Sequence, residues 1–186
     1  GLSDYLTAGD RDGAWRLASA IANLSFLVTA VLALAAIIAA DALVAQLIAP
    51  GFEPEKQRLT AGLMRLILIS TALFALSGVA TGVLHAHQHF TLPALSPVLY
   101  NLGIIGGLLG LVPYLGVYGL AWGVVGGAAL HLLVQVPALL GHGLRYRPVL
   151  GLSDPGVRRL LLLLGPRILT LGVVKINAVV ATNVAS

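Results

Sequence analysis

The amino-acid sequence predicts an all-α fold: a polytopic membrane helix bundle of about five transmembrane helices plus a short amphipathic interfacial helix. About five apolar stretches are joined by short polar loops. Each is long enough to span a bilayer, because about 20 apolar residues cross a hydrocarbon core of roughly 30 Å. The chain is also 58% hydrophobic and only 10% charged, whereas a soluble domain carries roughly 25% charged residues. The composition therefore disfavours a water-soluble bundle.

The first two predicted spans cover residues 15–49 and 58–84 of a single membrane-embedded domain, 1–186. A polar stretch precedes the first span. That span stops at Ala49-Pro50-Gly51-Phe52, because Pro and Gly interrupt regular structure. A short charged loop then leads into the second span.

Three further spans are predicted at residues 92–112, 117–140 and 160–186. The first of these follows a His-rich loop. A basic loop separates the second from the third. The last span is preceded by Ser153-Asp154-Pro155, a helix-start signal that combines a side-chain acceptor with proline in the first turn.

The distribution of Lys and Arg predicts the orientation in the membrane, because cytoplasmic loops carry an excess of basic residues. One set of loops holds most of them: Arg11, Arg16, Arg145, Arg147, Arg158 and Arg159. The loop on the other side has Lys56 and Arg58, which Glu53 and Glu55 offset. The Gly1 side is therefore expected to be cytoplasmic, and an odd number of spans puts Ser186 outside.

Glycines recur at four-residue spacing on two neighbouring spans. The members are Gly103 and Gly107 on the third span, and Gly119, Gly123 and Gly127 on the fourth. Residues four apart share a helical face, and small residues let helix backbones approach closely in lipid. The spacing predicts a helix–helix packing face.

Pro93, Pro97 and Asn101 are also spaced by four. Pro97 removes a backbone donor and frees the carbonyl of Pro93. Such a break persists in a membrane where protein or water satisfies the carbonyl, and Asn101 could do part of that. We expect a helix break or hinge here.

No catalytic arrangement is evident in the sequence, so an enzyme is not expected. The chain has no cysteine, no Walker-type phosphate loop and no Ser/His/Asp set. His131 lies in mid-span and is interpreted as a helix–helix hydrogen-bonding group. His85, His87 and His89 alternate without a nearby acidic ligand. We therefore predict no metal, no cofactor and no nucleic-acid partner.

Several segments together carry a family resemblance. They are Ala49-Pro50-Gly51-Phe52, the string Phe90-Thr91-Leu92-Pro93-Ala94-Leu95-Ser96-Pro97-Val98-Leu99-Tyr100-Asn101, Gln135-Val136-Pro137, Gly165-Pro166 and the closing Ala185-Ser186. Their order and spacing resemble the MurJ/MviN family of lipid II flippases, within the multidrug/oligosaccharidyl-lipid/polysaccharide exporter superfamily. The Phe-x-x-Pro-Ala-x-x-Pro-x-x-x-Asn pattern is the most specific of these.

The resemblance implies that the chain is an internal part of a larger, two-lobed transporter of about fourteen spans. It corresponds to the region from the loop after the family's second helix to the end of its seventh. Family members move the undecaprenyl-pyrophosphate-linked peptidoglycan precursor across the bacterial cytoplasmic membrane by alternating access. The implied partners are the lipid bilayer, lipid II and the remaining transporter helices. Two alternatives stay open: another exporter of the superfamily, for a polysaccharide-linked lipid or a drug, or a membrane scaffold.

Candidate substrate-cavity residues lie in or near the last span. Lys175 stands well inside it, where a cation is costly in lipid and should face protein or water. The family usually has Gln at this place. With Asn177 and Arg167, Lys175 is predicted to meet the anionic headgroup. The competing interpretations are a side chain that reaches water for Lys175 and a basic membrane anchor for Arg167.

Overall fold

The computed structural model describes residues 2–151, 157–158 and 162 of the chain, and the regular elements of this part are helical. Four helical stretches are long and apolar enough to cross a membrane: Arg11–Ile38, Pro54–Ala86, Thr91–Leu115 and Val117–Gly141. The all-α membrane fold predicted from the sequence is confirmed. The fifth predicted span, 160–186, lies outside the described residues except for Leu162.

The described part of the chain contains eight α-helices and two π-helical segments, in the order that follows. They are α1 (Leu2–Thr7), α2 (Arg11–Ile38), α3 (Ala40–Leu43), a π-helical segment (Val44–Ile48), α4 (Pro54–Ala86), α5 (Thr91–Gly106), a second π-helical segment (Gly107–Leu111), α6 (Val112–Leu115), α7 (Val117–Leu133) and α8 (Val136–Gly141).

The helix boundaries follow from local chemistry. Asp10 caps α2, and its carboxylate accepts a hydrogen bond of 2.8 Å from the backbone N–H of Gly13. Pro54 opens α4, at a position where the missing N–H costs nothing. Gly116 separates α6 from α7 with φ of +57°, a conformation that favours glycine.

The helices pack as a chain of neighbours: α2 against α4, α4 against α7, and α7 against α5. Buried side chains concentrate towards the two ends of the bundle. One cluster contains Trp15, Ala18, Ala80, Val83, Leu84 and Leu139. A second, at the opposite end, contains Ala40, Val44, Ala49 and Ala61, and a third, near the first, contains Leu17, Ala20 and Val157.

Large apolar side chains cover the outer surface between these ends. Leu32 is 65% exposed, Ile38 75% and Leu109 72%. An apolar surface of this extent would be a liability in water, since soluble monomers rarely expose large contiguous apolar patches. In a bilayer it meets lipid tails, which agrees with the spans.

The α5–α7 interface is built from glycines on both helices. A Cβ atom added to Gly103 would meet the backbone of Gly127, and one added to Gly107 would meet the Cα of Gly123. A Cβ on Gly119 would meet the backbone of Leu111 and Val112. The backbones therefore touch, and the glycines singled out in the sequence lie at this contact.

We predict that Gly123→Leu loosens the packing of α7 on α5. A Cβ at this position would lie 2.9 Å from the Cα of Gly107 and 3.1 Å from the carbonyl oxygen of Gly103. The larger side chain must hold the backbones apart, at a cost of about 1–3 kcal/mol. Thermal unfolding of the detergent-solubilised protein measures the effect.

Gly126→Leu is the matched control for this experiment. Gly126 lies on the same helix, but a Cβ there has nothing within 4 Å. Its substitution should leave the unfolding temperature nearly unchanged. Equal unfolding temperatures for the two variants would contradict the packing role.

Candidate functional site

Three segments that are distant in sequence meet at one end of the bundle. Trp15 near the start of α2, Leu84 near the end of α4 and Leu139 in α8 belong to one buried cluster. The segment before α2, the His-rich loop and the basic loop after α8 therefore share a face. The sequence assigned these three segments to the same side of the membrane.

The basic loop is attached to α2 by polar contacts. The guanidinium of Arg145 lies 3.1 Å from the carboxylate of Asp12, and that of Arg147 lies 3.7 Å from it. The backbone N–H of Arg147 donates to the hydroxyl of Ser19 at 3.1 Å. Asn23 donates to the carbonyl of Val149 at 2.8 Å. The ion pairs are exposed, and such pairs contribute about 0–1 kcal/mol, so the bonds to Ser19 and Asn23 carry most of the attachment.

Aromatic and imidazole rings stack at the same end. Trp15 stacks on His87, with ring centroids 5.7 Å apart. The ring of His142 lies 4.7 Å from that of His87 and 5.7 Å from that of His89. Two of the three alternating histidines thus meet His142 from the loop after α8. That partner was missed because it is more than fifty residues away in the sequence.

This histidine cluster borders a cleft of about 430 Å³, whose other lining includes Asp10, Arg11 and Arg145. Loss of hydration lowers the pKa of His142, and the neighbouring His87, His89 and Arg11 lower it further. Among the described residues, no three His, Asp or Glu side chains are placed to hold one metal ion.

A second polar cluster lies between α4 and α7, inside the predicted spans. Ser77 and Gln135 are fully buried. The hydroxyl of Ser77 lies 2.6 Å from Nδ1 of His131 and 2.7 Å from Nε2 of Gln135. Thr81 donates to Oε1 of Gln135 at 3.0 Å. The interpretation of His131 as a helix–helix hydrogen-bonding group is confirmed.

A spacing pattern in the sequence predicts this cluster, although only His131 was singled out from the sequence. Ser77 and Thr81 are four residues apart on α4, and His131 and Gln135 are four apart on the opposing element. Polar pairs at this spacing lie on one helical face. Two such pairs in otherwise apolar spans predict a shared hydrogen-bonded contact.

A third polar contact joins α2 and α4 near the opposite end. Nη2 of Arg65 lies 2.7 Å from the carboxylate of Asp41, and Nε donates to the carbonyl of Ile37 at 3.2 Å. Arg65 thus stands within α4 as a basic residue inside a predicted span, and its ion pair with Asp41 was not expected from the sequence.

The Pro/Asn string lies in α5, and the helix continues through Pro97. The side-chain amide of Asn101 donates to the carbonyl of Pro97 at 2.9 Å, rather than to that of Pro93 as the sequence suggested. The irregular backbone begins further on, in the π-helical segment at Gly107. The cavity candidates Lys175, Asn177 and Arg167 lie outside the described residues.

These observations define a class, a multi-pass membrane protein whose spans are joined by glycine contacts and internal polar clusters. A sequence profile of the family described as "Lipid II flippase MurJ" matches residues 2–186. The chain belongs to the MurJ family of lipid II flippases, which confirms the resemblance seen in the sequence.

Individual relatives agree with this assignment. A lipid II flippase MurJ of Burkholderia cenocepacia is 30% identical over 193 aligned positions, covering 100% of this chain and 37% of the relative. A probable lipid II flippase MurJ of Rhizobium meliloti is 31% identical, over 97% of this chain and 35% of the relative. One of Synechocystis is 34% identical, over 74% and 28%. The chain thus spans about a third of the length of its relatives.

We predict that acidification destabilises the end of the bundle through His142. Its folded-state pKa lies below the ordinary value of 6.5. As the pH falls, the unfolded chain therefore binds a proton more readily than the folded one. This contribution to stability is full above pH 6.5 and is lost as the pH falls from 6.5 through the folded-state pKa.

The measurement is the unfolding temperature as a function of pH for the parent and for His142→Asn. The variant should show a shallower loss of stability in acid. His85→Asn is the control, because the ring of His85 packs on Phe90 instead, at 5.1 Å. A parent-like pH slope in His142→Asn would refute the assignment.

Proposed function

We propose that this chain forms part of a lipid II flippase that moves the undecaprenyl-pyrophosphate-linked peptidoglycan precursor across the bacterial cytoplasmic membrane. The observation that carries the proposal is the family match over residues 2–186. Four membrane-spanning stretches over the same region support it. In this proposal the chain acts together with further transporter helices, since its relatives are about three times as long.

The proposed mechanism is alternating access, in which packed groups of helices move against one another around a central cavity. The structure supports the part of this proposal that requires tightly packed groups of helices. The α5–α7 contact is a close backbone contact, and α4 is bound to α7 through buried polar groups. Such interfaces favour movement of α4, α7 and the glycine-bearing end of α5 as a unit. The proposed flexible point is the preceding part of α5, at Pro93, Pro97 and Asn101.

The proposed substrate contact is electrostatic. Lipid II carries a diphosphate, and a cation in a low-dielectric cavity attracts it more strongly than in water. Lys175, Asn177 and Arg167 are the proposed contacts. This transport needs no bond-making step at the protein, so the proposal includes no enzymatic activity and no cofactor.

We further propose that the end of the bundle holding the histidine cluster faces the cytoplasm. Arg11, Arg145 and Arg147 lie at this end, with Asp12 as a partner of two of them. At the opposite end Lys56 lies 3.7 Å from Glu53. The excess of Arg at the first end favours a cytoplasmic location.

Labelling of single-cysteine variants tests this orientation cleanly, because the chain has no cysteine of its own. Ser3→Cys and Ser153→Cys should resist a membrane-impermeant thiol reagent added to intact cells. Gly51→Cys, an exposed position at the opposite end, should react and serves as the positive control. Rapid labelling of Ser3→Cys together with protection of Gly51→Cys would show that the orientation in the membrane is the opposite of the proposed one.

The cavity proposal is tested by charge reversal at Lys175 in the complete transporter. Lys175→Glu should abolish complementation of a flippase-depleted bacterium, because the carboxylate repels the diphosphate. Lys175→Gln restores the residue type usual in the family and should retain partial function. Membrane expression of both variants is checked by immunoblot.

The two substitutions are each other's control, since both remove the cation and only one adds a negative charge. Parent-like complementation by Lys175→Glu would show that the side chain does not meet the substrate. Equal loss in both variants would point to a need for the cation itself.

A further inference from the structure

The backbone hydrogen bonding is irregular between α7 and α8. Helix α7 ends at Leu133 and α8 begins at Val136, with Pro137 in its first turn. The backbone N–H of Gln135 donates to the carbonyl of Leu132 at 3.1 Å. In a regular helix it would donate to the carbonyl four residues earlier, that of His131.

The backbone N–H of Gln135 does not donate to the carbonyl of His131, and the side chain of Gln135 donates to it instead. Its Nε2 donates to the carbonyl oxygen of His131 at 3.0 Å. A carbonyl left unpaired within a membrane costs several kcal/mol, so this bond compensates for the irregular backbone hydrogen bonding at Gln135. An apolar residue of the same size would fill the space without satisfying the carbonyl.

The donors and acceptors around Ser77, His131 and Gln135 restrict where the protons of this polar cluster lie. One N–H of Gln135 Nε2 goes to the carbonyl of His131, and the other goes to the hydroxyl oxygen of Ser77. The proton of Ser77 has two acceptors in reach, Nδ1 of His131 at 2.6 Å and the carbonyl oxygen of His131 at 3.3 Å. The shorter contact favours Nδ1 as the acceptor, which corresponds to the Nε2–H tautomer of His131, whereas an N–H at Nδ1 would direct the Ser77 proton to the carbonyl.

Thr81 is the fourth residue of this polar cluster. The hydroxyl of Thr81 donates to Oε1 of Gln135, so both ends of the fully buried amide are paired. We call Ser77, Thr81, His131 and Gln135 the polar clasp. A buried network with every member satisfied specifies one arrangement, whereas a partly satisfied one is costly.

The clasp lies where α8 follows α7. The carbonyl of Gln135 accepts from the N–H of Leu139 at 3.1 Å. Leu139 is buried against Trp15 and Leu84. The loop after α8 then brings His142 onto the histidine cluster and Arg145 onto Asp12. The segment that follows the clasp thus carries these contacts at the end of the bundle.

We propose that Gln135 is a positioning residue for transport, which acts through the polar clasp to fix α8 against α4 and so to set the arrangement of the proposed cytoplasmic end. This inference rests on the proposed function. It adds a requirement for specific hydrogen bonds at a place where the substrate need not touch the protein.

The first test compares two serines of α4 in the complete transporter, reconstituted into vesicles with lipid II. Ser77→Ala removes the acceptor for one N–H of the Gln135 amide and the hydroxyl partner of Nδ1 of His131. The transport rate should fall about tenfold or more, as expected for buried groups left unpaired. Ser70→Ala is the matched control, because Ser70 is also buried but its hydroxyl donates to Ile67 of its own helix, at 2.6 Å.

The second test separates positioning from stability. The double variant Ser77→Ala/His131→Leu removes both side chains of the 2.6 Å contact and keeps Gln135 as the donor to the carbonyl of residue 131, an exchange that can be nearly neutral for stability. Its unfolding temperature should recover towards that of the parent, while its transport rate stays low. Ser77→Thr keeps the hydroxyl and should retain transport.

A third readout does not depend on transport. Spin labels at Leu140→Cys on α8 and Gly82→Cys on α4, both exposed positions, report the direction of α8. The distance distribution should be narrow in the parent and in Ser70→Ala, and broad or shifted in Ser77→Ala. In the parent, ¹⁵N spectra of the histidine rings should show His131 as the Nε2–H tautomer.

The results of these experiments support or overturn the positioning role of Gln135. Parent-like transport by Ser77→Ala or by the double variant would overturn the positioning role, and so would an unchanged spin-label distance in Ser77→Ala. If the parent moves no lipid II at all, the proposed function fails. The spin-label and ¹⁵N measurements then still decide whether the clasp directs α8.

Discussion

The absence of water in a bilayer is the constraint on which the rest of this structure depends. A backbone carbonyl in hydrocarbon needs a donor from within the protein, so each departure from regular helix requires one. Side chains lie at three such places. Arg65 donates to Ile37 where α2 ends, Gln57 donates to Ala49 after the first π-helical segment at 3.1 Å, and Gln135 donates to His131 between α7 and α8. Polar residues that look costly in an apolar sequence therefore satisfy carbonyls where the helices are interrupted.

The same solvent explains why glycine, rather than bulky apolar residues, forms the α5–α7 interface. Lipid tails are as apolar as leucine, so burying leucine between helices gains little in a membrane. Close backbone contact gains dispersion energy instead, and it needs residues without a Cβ. Gly103, Gly107 and Gly123 meet this need, while Gly126 on the same helix faces open space. The position of a glycine on the helix thus matters more than its abundance in the chain.

The fold class and the family could be predicted from the sequence, because they depend on properties that are local along the chain. The length of an apolar run decides whether it spans a membrane, and ordered motifs such as the Pro/Asn string mark the family. The polar clasp was harder to predict. His131 was recognised as a hydrogen-bonding group, but Ser77, Thr81 and Gln135 were not. Serine and threonine are common in membrane helices and commonly bond to their own backbone, as Ser70 does.

The sequence by itself determined that this protein has membrane-spanning helices and to which family it belongs. The tertiary structure decided which polar groups meet: Arg65 with Asp41, His142 with His87, and Gln135 with Ser77. Hydropathy and helix signals act within one segment, so they can be read without knowing its neighbours. A hydrogen bond between two helices depends on their rotation and relative height, which only the packing of the whole bundle fixes.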